Sequence, residues 1–379
     1  MSIVVLKLPN VKQKTEERPK KCPYCKGVTF QRWGSTKKKV QDIYVRSVAV
    51  YRYRCCHCKR TFRHYPAGSS PADQTKRLEL FSILLWTLGL SYRSAALILS
   101  GVKVAISHMT IWRNVQEENA RRKKRKQWQP VRVVGLDGAY VPGWGETQPV
   151  LVAVDLGTGD PLAVGYVNEY DPQAVQRWLT PLVQRHGISV IVTDDLFSYR
   201  VVADKLQLGH QVCQFHVRRW VGRSLHELAT TLPQEWLWVL EEVRALLEIL
   251  HPEGGKRLYA LWKQLPGRHS GGKALSPLER LRGLLLRLAQ TWHRYCTFQS
   301  EPQVPWTNNA TERAIGRMKM RARTVRGYQS WSGMEAGLLL AAAPFEGSAL
   351  FSIHPLVPFP FLVFAYRLCY KVPLARPLQ

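Results

Sequence analysis

The chain has 379 residues, more than one typical domain contains, so two or more domains are expected. Hydrophobic residues make up 45% of it, which excludes a globally disordered protein. Lysine and arginine outnumber aspartate and glutamate by 55 to 27, giving a formal net charge of +28. So large an excess argues against a protein without a polyanionic partner and indicates nucleic acid. No signal peptide is visible at the start, so we expect a cytoplasmic protein whose residues 1–20 form a polar, flexible lead.

Two Cys-x-x-Cys pairs follow this lead. Their spacing is typical of four thiolates on a tetrahedral zinc ion, and a chain without a signal peptide favours metal ligands over disulfides. The expected ligands are Cys22, Cys25, Cys55 and Cys58, with Cys56 or His57 as possible substitutes. We therefore expect a zinc ribbon over residues 21–66. Because basic residues surround the site, the ribbon could contact DNA, and a purely structural role is the alternative.

A helical region follows a Pro- and Ser-containing linker at 66–71. Apolar periodicity predicts helices over 74–88 and 91–99, a turn at Gly101, and a further helix capped near Ser107. Two helices around a glycine-bearing turn are typical of a helix-turn-helix, which we place with a basic linker in residues 74–128. An ordinary helical hairpin is the alternative. The residues expected to meet base edges are His108, Thr110, Arg113 and Asn114.

The middle of the chain alternates strands and helices. β-branched runs predict strands over 131–137, 150–156, 161–167, 188–193 and 210–213, with helices over 172–185 and 199–206. The sum is a mixed α/β sheet. Asp137 closes the first of these strands, and Asp194 closes the fourth, which is nearly all apolar as a buried strand would be. Adjacent parallel strand ends could bring the two carboxylates within reach of one metal ion, although a single acid at a strand end is more often a turn residue or a cap.

A basic helix is predicted to begin near Asn309, a good N-cap residue with Glu312 three positions on. One stripe of this helix is apolar. A second stripe contains Glu312, Gly316, Lys319, Arg323 and Arg326. Cations along a helix suit a phosphate chain, and a lone carboxylate beside them suits a metal ion. The alternative is a capping-box glutamate on a solvated basic helix.

Four motifs carry a resemblance to a known family. They are LDGAY at 136–140, VTDDLFSY at 192–199, CQFHVRR at 213–219 and TNNATERAIGRMKMRARTVRGYQS at 307–330. Because all four motifs are present and occur in this order, the chain resembles prokaryotic insertion-sequence transposases of the DDE type. The Cys-x-x-His followed by a helical segment is similar to the Mutator-like branch. The resemblance covers roughly residues 20–340 and implies a ribonuclease H-like mixed-sheet catalytic domain over 130–345, with an all-α insertion at 214–300.

The resemblance implies a catalytic triad of Asp137, Asp194 and Glu312 that holds two Mg²⁺ ions, which Mn²⁺ could replace. Asp195 is the alternative to Asp194, which we prefer because it directly follows the strand and takes the place of the family's aspartate. The implied reaction is cleavage at transposon ends and strand transfer into target DNA. The partners would be double-stranded ends and target DNA, and pairing two ends requires a dimer or larger assembly. The end's phosphates would contact Lys319, Arg323 and Arg326.

Two other functions stay open. A catalytically inactive, sequence-specific DNA-binding regulator of transposase descent is the second hypothesis, and an unrelated ribonuclease H-like nuclease is a third. Two ligands make a poor metal site, so we assign Cys213 and His216 to packing. Residues 346–379 are expected to be an apolar, proline-containing tail. Its stretch from Phe351 to Tyr370 is long enough for a membrane span, but three prolines at 355, 358 and 360, together with His354 and Arg367, argue against one. We expect no membrane contact and a place on the nucleoid in a bacterial or archaeal cytoplasm.

Overall fold

The computed structural model describes residues 3–6, 8–15, 17–126, 130–143, 145–267, 275–301, 303–325, 327–343 and 351–354. The chain divides into two compact units, Met1–Glu117 together with Pro344–Gln379, and Glu118–Ala343. Within the described ranges no helix combines the length and the apolar character needed to cross a membrane. Most of the apolar tail lies outside these ranges.

The first unit contains two small sheets. Strand β1 (Ile3–Leu6), within the predicted lead, pairs antiparallel with the last strand, β10 (Phe351–His354). The segment predicted to be a zinc ribbon, called the zinc ribbon below, contains β2 (Phe30–Lys39), β3 (Ser47–Cys55) and β4 (Thr61–His64), which pair antiparallel in the order β2-β3-β4. Val48 and Val50 of β3 are buried against Val11 and Val45. A three-stranded ribbon with so small a core depends on further support, such as a bound metal.

This unit also contains α1 (Lys76–Thr87), α2 (Tyr92–Gly101) and the first part of α3 (His108–Lys126), whose last part belongs to the second unit. Their core contains Leu78, Leu99 and Ile111, all fully buried. The predicted cap of the third helix is present, since the Ser107 hydroxyl accepts the backbone N–H of Thr110 at 3.1 Å. The basic run at 121–126, expected to be a linker, is the last part of α3.

The second unit is organised around a five-stranded sheet. Its strands are β5 (Val133–Gly143), β6 (Glu146–Asp155), β7 (Pro161–Gly165), β8 (Val190–Thr193) and β9 (Gly209–Val212), in the order β7-β6-β5-β8-β9. The first three strands are antiparallel, and β5, β8 and β9 are parallel. This order and these directions are those of the ribonuclease H-like fold, so the predicted α/β fold class is confirmed.

Helices cover both faces of this sheet. On one face α4 (Pro172–His186) and α5 (Phe197–Lys205) pack on residues such as Leu136 and Ile191. After β9 the chain is helical, with α6 (Gln214–Ala229), α7 (Leu237–Ile249), α8 (Gly254–Gln264), α9 (Pro277–Tyr295) and α10 (Thr297–Ser300), where the insertion was predicted. On the opposite face α11 (Asn309–Thr324) and α12 (Trp331–Ala342) pack on β5 and β6.

Candidate active site

Strands β5 and β8 bring Asp137 and Asp194 to the same edge of the sheet. The two strands are parallel, and Gly135 is the Cα partner of Val192 at the last pair of their ladder. Each aspartate lies two residues beyond that pair, so register places them side by side. The expectation that Asp137 closes its strand is wrong, because β5 continues to Gly143 while pairing with β6. The shorter strand β8 ends here instead, and its end opens the space that the carboxylates share.

Asn308 fixes the start of α11 against β5. Its side-chain amide donates to the Leu136 carbonyl at 2.9 Å, one residue before Asp137, and its backbone N–H donates to the sulfur of Cys213 at 3.3 Å. The predicted N-cap, Asn309, is therefore one residue late. Asn308 holds the N-cap position, but its side chain makes no capping hydrogen bond and instead ties the helix to the sheet.

The approach of α11 to β5 is close. A Cβ atom on Gly135 would lie 2.1 Å from Thr311 Oγ1 and 2.3 Å from Asn308 Oδ1, so only glycine fits there. These two side chains also bond to each other, with Thr311 donating to Asn308 at 2.6 Å. The first turn of α11, which contains Glu312, is thereby held at the strand.

Glu312 faces His216 of α6. His216 Nε2 lies 3.7 Å from Glu312 Oε1, and the ligand atoms of Cys213, His216 and Glu312 all lie within 4.8 Å of one another. The assignment of Cys213 to packing is supported by its bond from Asn308, and burial raises the pKa of its thiol. His216 is different, because its Nδ1 is buried and has no hydrogen-bond partner among the described residues. The Cys-x-x-His motif was the sequence signal for His216, and the assignment of this residue to packing gave that signal too little weight.

Both aspartates have strongly raised pKa values. Burial raises the pKa of Asp137 to about 7, and the nearby charges of Asp194 and Glu169 add to the shift. The pKa of Asp194 rises to about 6, first through burial and then through the charge of Glu169, while His216 opposes both shifts. The Oδ1 atom of Asp194 and the Oε1 atom of Glu312 are buried without a hydrogen-bond partner in the described part of the chain. Negative charge is thus gathered here without enough donors to stabilise it.

The geometry separates Asp194 from its neighbour Asp195. Asp195 accepts from Arg287 at 2.8 Å and from the Tyr295 hydroxyl at 3.3 Å, and Arg200 lies 3.9 Å away. Asp195 therefore takes part in an ion-pair network that joins the end of β8 to α9. Asp194, whose pKa responds to Glu169 and His216, faces the carboxylate site.

Glu169 is a fourth carboxylate that sequence reasoning missed. It lies in the loop before α4, where the fully buried Tyr199 donates its hydroxyl to Glu169 Oε2 at 2.8 Å. A Cβ atom on Gly138 would come within 2.2–2.4 Å of the Glu169 carboxylate, so the glycine after Asp137 makes room for it. The sequence gives little signal for this residue, because an acid in a polar loop before a helix is common.

The predicted phosphate-binding side of α11 is exposed. Lys319 and Arg323 are exposed, and the position of a Cβ on Gly316 has no atom within 4 Å. The opposite stripe, which includes Met318 and Ala322, is buried as expected. Arg326 lies outside the described residues.

The base-reading prediction for α3 is partly wrong. His108 and Arg113 are exposed and Thr110 is half-buried, but Asn114 is only 1% exposed. Its amide donates to Gln74 at 3.0 Å and to Ser82 at 2.9 Å, so it joins α3 to the rest of the three-helix unit. Periodicity did not reveal this, because a polar side chain satisfied in a core resembles an exposed one in sequence.

The four predicted zinc ligands converge. Their sulfur atoms all lie within 4.8 Å of one another, with 3.8 Å between Cys22 and Cys58 and 3.6 Å between Cys25 and Cys55. Backbone N–H groups, first that of Cys58, lower the pKa of Cys55 to about 6. The residue after each pair has a left-handed backbone, Lys26 with φ 62° and Lys59 with φ 58°, so the two turns match. Four converging sulfurs are the donor set of a structural zinc site.

Residues 163–336 match the model of the transposase IS66 family. Over this stretch the chain is similar to IS66-family transposases. The matched stretch contains Glu169, Asp194, His216 and Glu312, and it begins after Asp137. The resemblance to insertion-sequence transposases is confirmed, and its assignment to the Mutator-like branch stays a prediction. A comparison with curated proteins finds no match.

Two solved structures are similar to this chain. The catalytic core domain of BIV integrase has 18% identity and a TM-score of 0.19, covering 42% of this chain and 97% of that one. A simian T-cell lymphotropic virus intasome in complex with PP2A regulatory subunit B56 gamma has 13% identity and a TM-score of 0.20, covering 55% and 67%.

Proposed function

We propose that this chain is a DDE-type DNA transposase that cleaves DNA at transposon ends and joins them to target DNA. One observation carries the proposal. Asp137 and Asp194 lie side by side at the edge of β5 and β8, and His216, which lowers the pKa of both, lies 3.7 Å from Glu312 at the start of α11. The IS66-family match over residues 163–336 supports the same reaction class.

The residues present fit divalent cations. Oxygen ligands are those that Mg²⁺ and Mn²⁺ prefer, and the buried oxygens of Asp194 and Glu312 lack hydrogen bonds from the described residues. Asp137, Asp194 and Glu312 would hold two Mg²⁺ ions, with Glu169 as a fourth negative charge beside them. Ions held there would stabilise the charge that develops on the attacking and leaving oxygens of a phosphoryl transfer.

The surrounding residues position the carboxylates. Asn308 holds Glu312 near Asp137 by tying α11 to β5, and Tyr199 holds Glu169. His216, next to Glu312, can donate a hydrogen bond toward the site or toward a phosphate oxygen. Lys319 and Arg323 offer exposed cations about two and three turns of α11 beyond Glu312, where they would bind the phosphates of the DNA end.

The other modules would bring the DNA to this site. We propose that α2 and α3 read transposon ends through His108, Thr110 and Arg113, and that zinc holds the ribbon through its four cysteines. Pairing two ends requires a dimer or larger assembly. Such a protein acts on chromosomal and plasmid DNA on the nucleoid of a bacterial or archaeal cytoplasm.

A mating assay with the gene and its own flanking DNA tests the function. Wild type and Glu312→Gln are compared, and new insertion junctions are sequenced. We expect junctions with short target duplications only from wild type. Specific binding to the flanks without junctions from either protein would favour the inactive regulator instead. Junctions from Glu312→Gln at the wild-type frequency would refute the assigned triad.

A further inference from the structure

The zinc ribbon carries positive charge that the described part of the protein does not neutralise. Strands β2, β3 and β4 contain seven arginines and lysines and no aspartate or glutamate. Arginines in other regions have carboxylate partners, as in Arg287–Asp195 at 2.8 Å and Arg294–Asp204 at 2.7 Å. Within the described ranges, one ribbon lysine has such a partner, Lys38 with Asp73, and no ribbon arginine has one.

The ribbon arginines are held by neutral groups instead. Arg52 donates to the Thr61 hydroxyl at 3.0 Å, and Arg54 donates to the Lys59 carbonyl at 3.2 Å. The guanidinium of Arg54 also lies 4.9 Å from the centre of the Trp33 ring. These contacts restrict the orientation of the two guanidinium groups without neutralising their positive charge. A site for an anionic ligand requires both properties.

Register places three of these arginines on one face of the sheet. Arg52 and Arg54 are two residues apart in β3, so they share a face, and Arg63 of β4 is the direct cross-strand partner of Arg52. Arg52 and Arg63 are both exposed. Like charges directly opposite each other in a sheet destabilise it. A polyanion bound across this face would remove that repulsion.

Trp33 completes the face. It lies at the irregularity in β2 between Arg32 and Gly34, where Gly34 has a φ of 140°, and it is 46% exposed. This bulge turns a large aromatic ring onto the face of Arg54. Packing in a core would account for a buried tryptophan. Trp33 instead lies against the guanidinium of Arg54, with about half of its surface exposed to solvent.

We propose that Arg52, Arg54 and Arg63 form a phosphate-binding surface for duplex DNA, with Trp33 as the residue that positions Arg54. The proposal goes beyond the proposed function, because this surface needs none of the carboxylates and adds a DNA contact separate from α3 and α11. Phosphate binding by fixed arginines is independent of sequence, so this surface would add affinity rather than base specificity.

The test measures binding of a 30-base-pair mixed-sequence duplex by the full-length, zinc-loaded chain in EDTA-free buffer without Mg²⁺, over a series of salt concentrations. The variant is Arg52→Gln/Arg54→Gln/Arg63→Gln. Its control is Arg244→Gln/Arg257→Gln/Arg280→Gln, which removes three exposed charges from the helical insertion. For the ribbon variant we expect at least tenfold weaker binding and a slope of log K against log salt smaller by up to about 2.7, since each phosphate contact contributes about 0.9. The control variant should change both far less.

Folding is followed in the same samples through zinc content and thermal unfolding. Arg63→Gln alone relieves the like-charge pair, so it should keep its zinc, unfold at the same or a higher temperature, and still bind duplex more weakly. Ribbon variants that bind with the wild-type affinity and slope would overturn the proposal, as would a loss confined to single-stranded DNA. The duplex-binding assay contains no Mg²⁺ and measures no joining, so failure of this surface and failure of the catalytic assignment give different results.

Discussion

The carboxylate site is negatively charged and the zinc ribbon is positively charged. In both regions, groups of like charge lie close together. At the edge of β5 and β8, burial, together with the charges of Asp194 and Glu169, raises the pKa of Asp137 to about 7. On the ribbon, Arg52 and Arg63 face each other across a strand pair, with no carboxylate partner for either in the described ranges. Each arrangement costs folding free energy when nothing is bound. The acids therefore point to cations and the arginines to a polyanion.

The ion pairs elsewhere sharpen this contrast. Asp195, next to Asp194 in sequence, is joined to Arg287 and Tyr295, and Asp42 is joined to Arg77. Where charge serves structure, the chain supplies a partner. Where a charged group has no such partner among the described residues, we infer a ligand.

The largest effect should come from the zinc site. Cys55→Ser should lower the zinc content from one ion per chain to none and unfold the ribbon, because zinc binding to such sites contributes about 10–16 kcal/mol of folding free energy. Elemental analysis and circular dichroism measure both. Cys213→Ser is the matched control and should leave one zinc ion, since Cys213 bonds to Asn308. Two zinc ions in wild type and one in Cys213→Ser would show instead that Cys213, His216 and Glu312 hold zinc.

Asp137→Asn should abolish DNA joining, by about a thousandfold or more, while stabilising the metal-free chain. The folded-state pKa of Asp137, about 7, exceeds its unfolded value, so ionisation weakens folding progressively as pH rises from about 4 to 7. Removing that charge should add about 1–3 kcal/mol at pH 7. Denaturant unfolding in EDTA measures this gain. A destabilised variant would contradict the idea that the acids repel one another in the empty site.

Asn308→Ala should lower stability by about 1–3 kcal/mol and slow joining, because it leaves the Leu136 carbonyl without its donor and loosens α11 beside Glu312. Asn309→Ala, one residue later and exposed, is the control and should have little effect. Equal effects from the two substitutions would contradict a specific role for the hydrogen bond between Asn308 and β5.

Metal affinity should depend on pH. Asp137 and Asp194, with pKa values of about 7 and 6, must lose protons to bind a cation, so Mn²⁺ affinity should fall as pH drops from 8 to 5.5. The expected loss is roughly tenfold per pH unit for each proton displaced. Glu169→Gln should move this fall to lower pH, because the charge of Glu169 raises both pKa values. Calorimetric titration measures the Mn²⁺ affinity at each pH. An affinity that stays constant over this range would refute the assignment of Asp137 and Asp194 as metal ligands.

Most of the fold could be predicted from the sequence, and part of the site could not. Apolar runs of β-branched residues located the five strands, and the two aspartates stood out because each follows such a run. Glu169 and Asn308 were missed because their roles depend on contacts with Tyr199 and Leu136, which are distant along the chain. Asn114 was misplaced for the same reason, since its partners Gln74 and Ser82 lie on other parts of the helical unit.

The most direct test of the account is joining of a pre-cleaved end oligonucleotide to a plasmid by the purified protein. The oligonucleotide takes its end sequence from the DNA that flanks the gene. Wild type, Asp137→Asn and Glu312→Gln are compared with Mg²⁺ and with EDTA. We expect joined products from wild type with Mg²⁺ and none from the other combinations, while all three proteins bind the oligonucleotide. Joining by either variant at the wild-type rate, or by wild type in EDTA, would contradict a metal-holding triad of Asp137, Asp194 and Glu312.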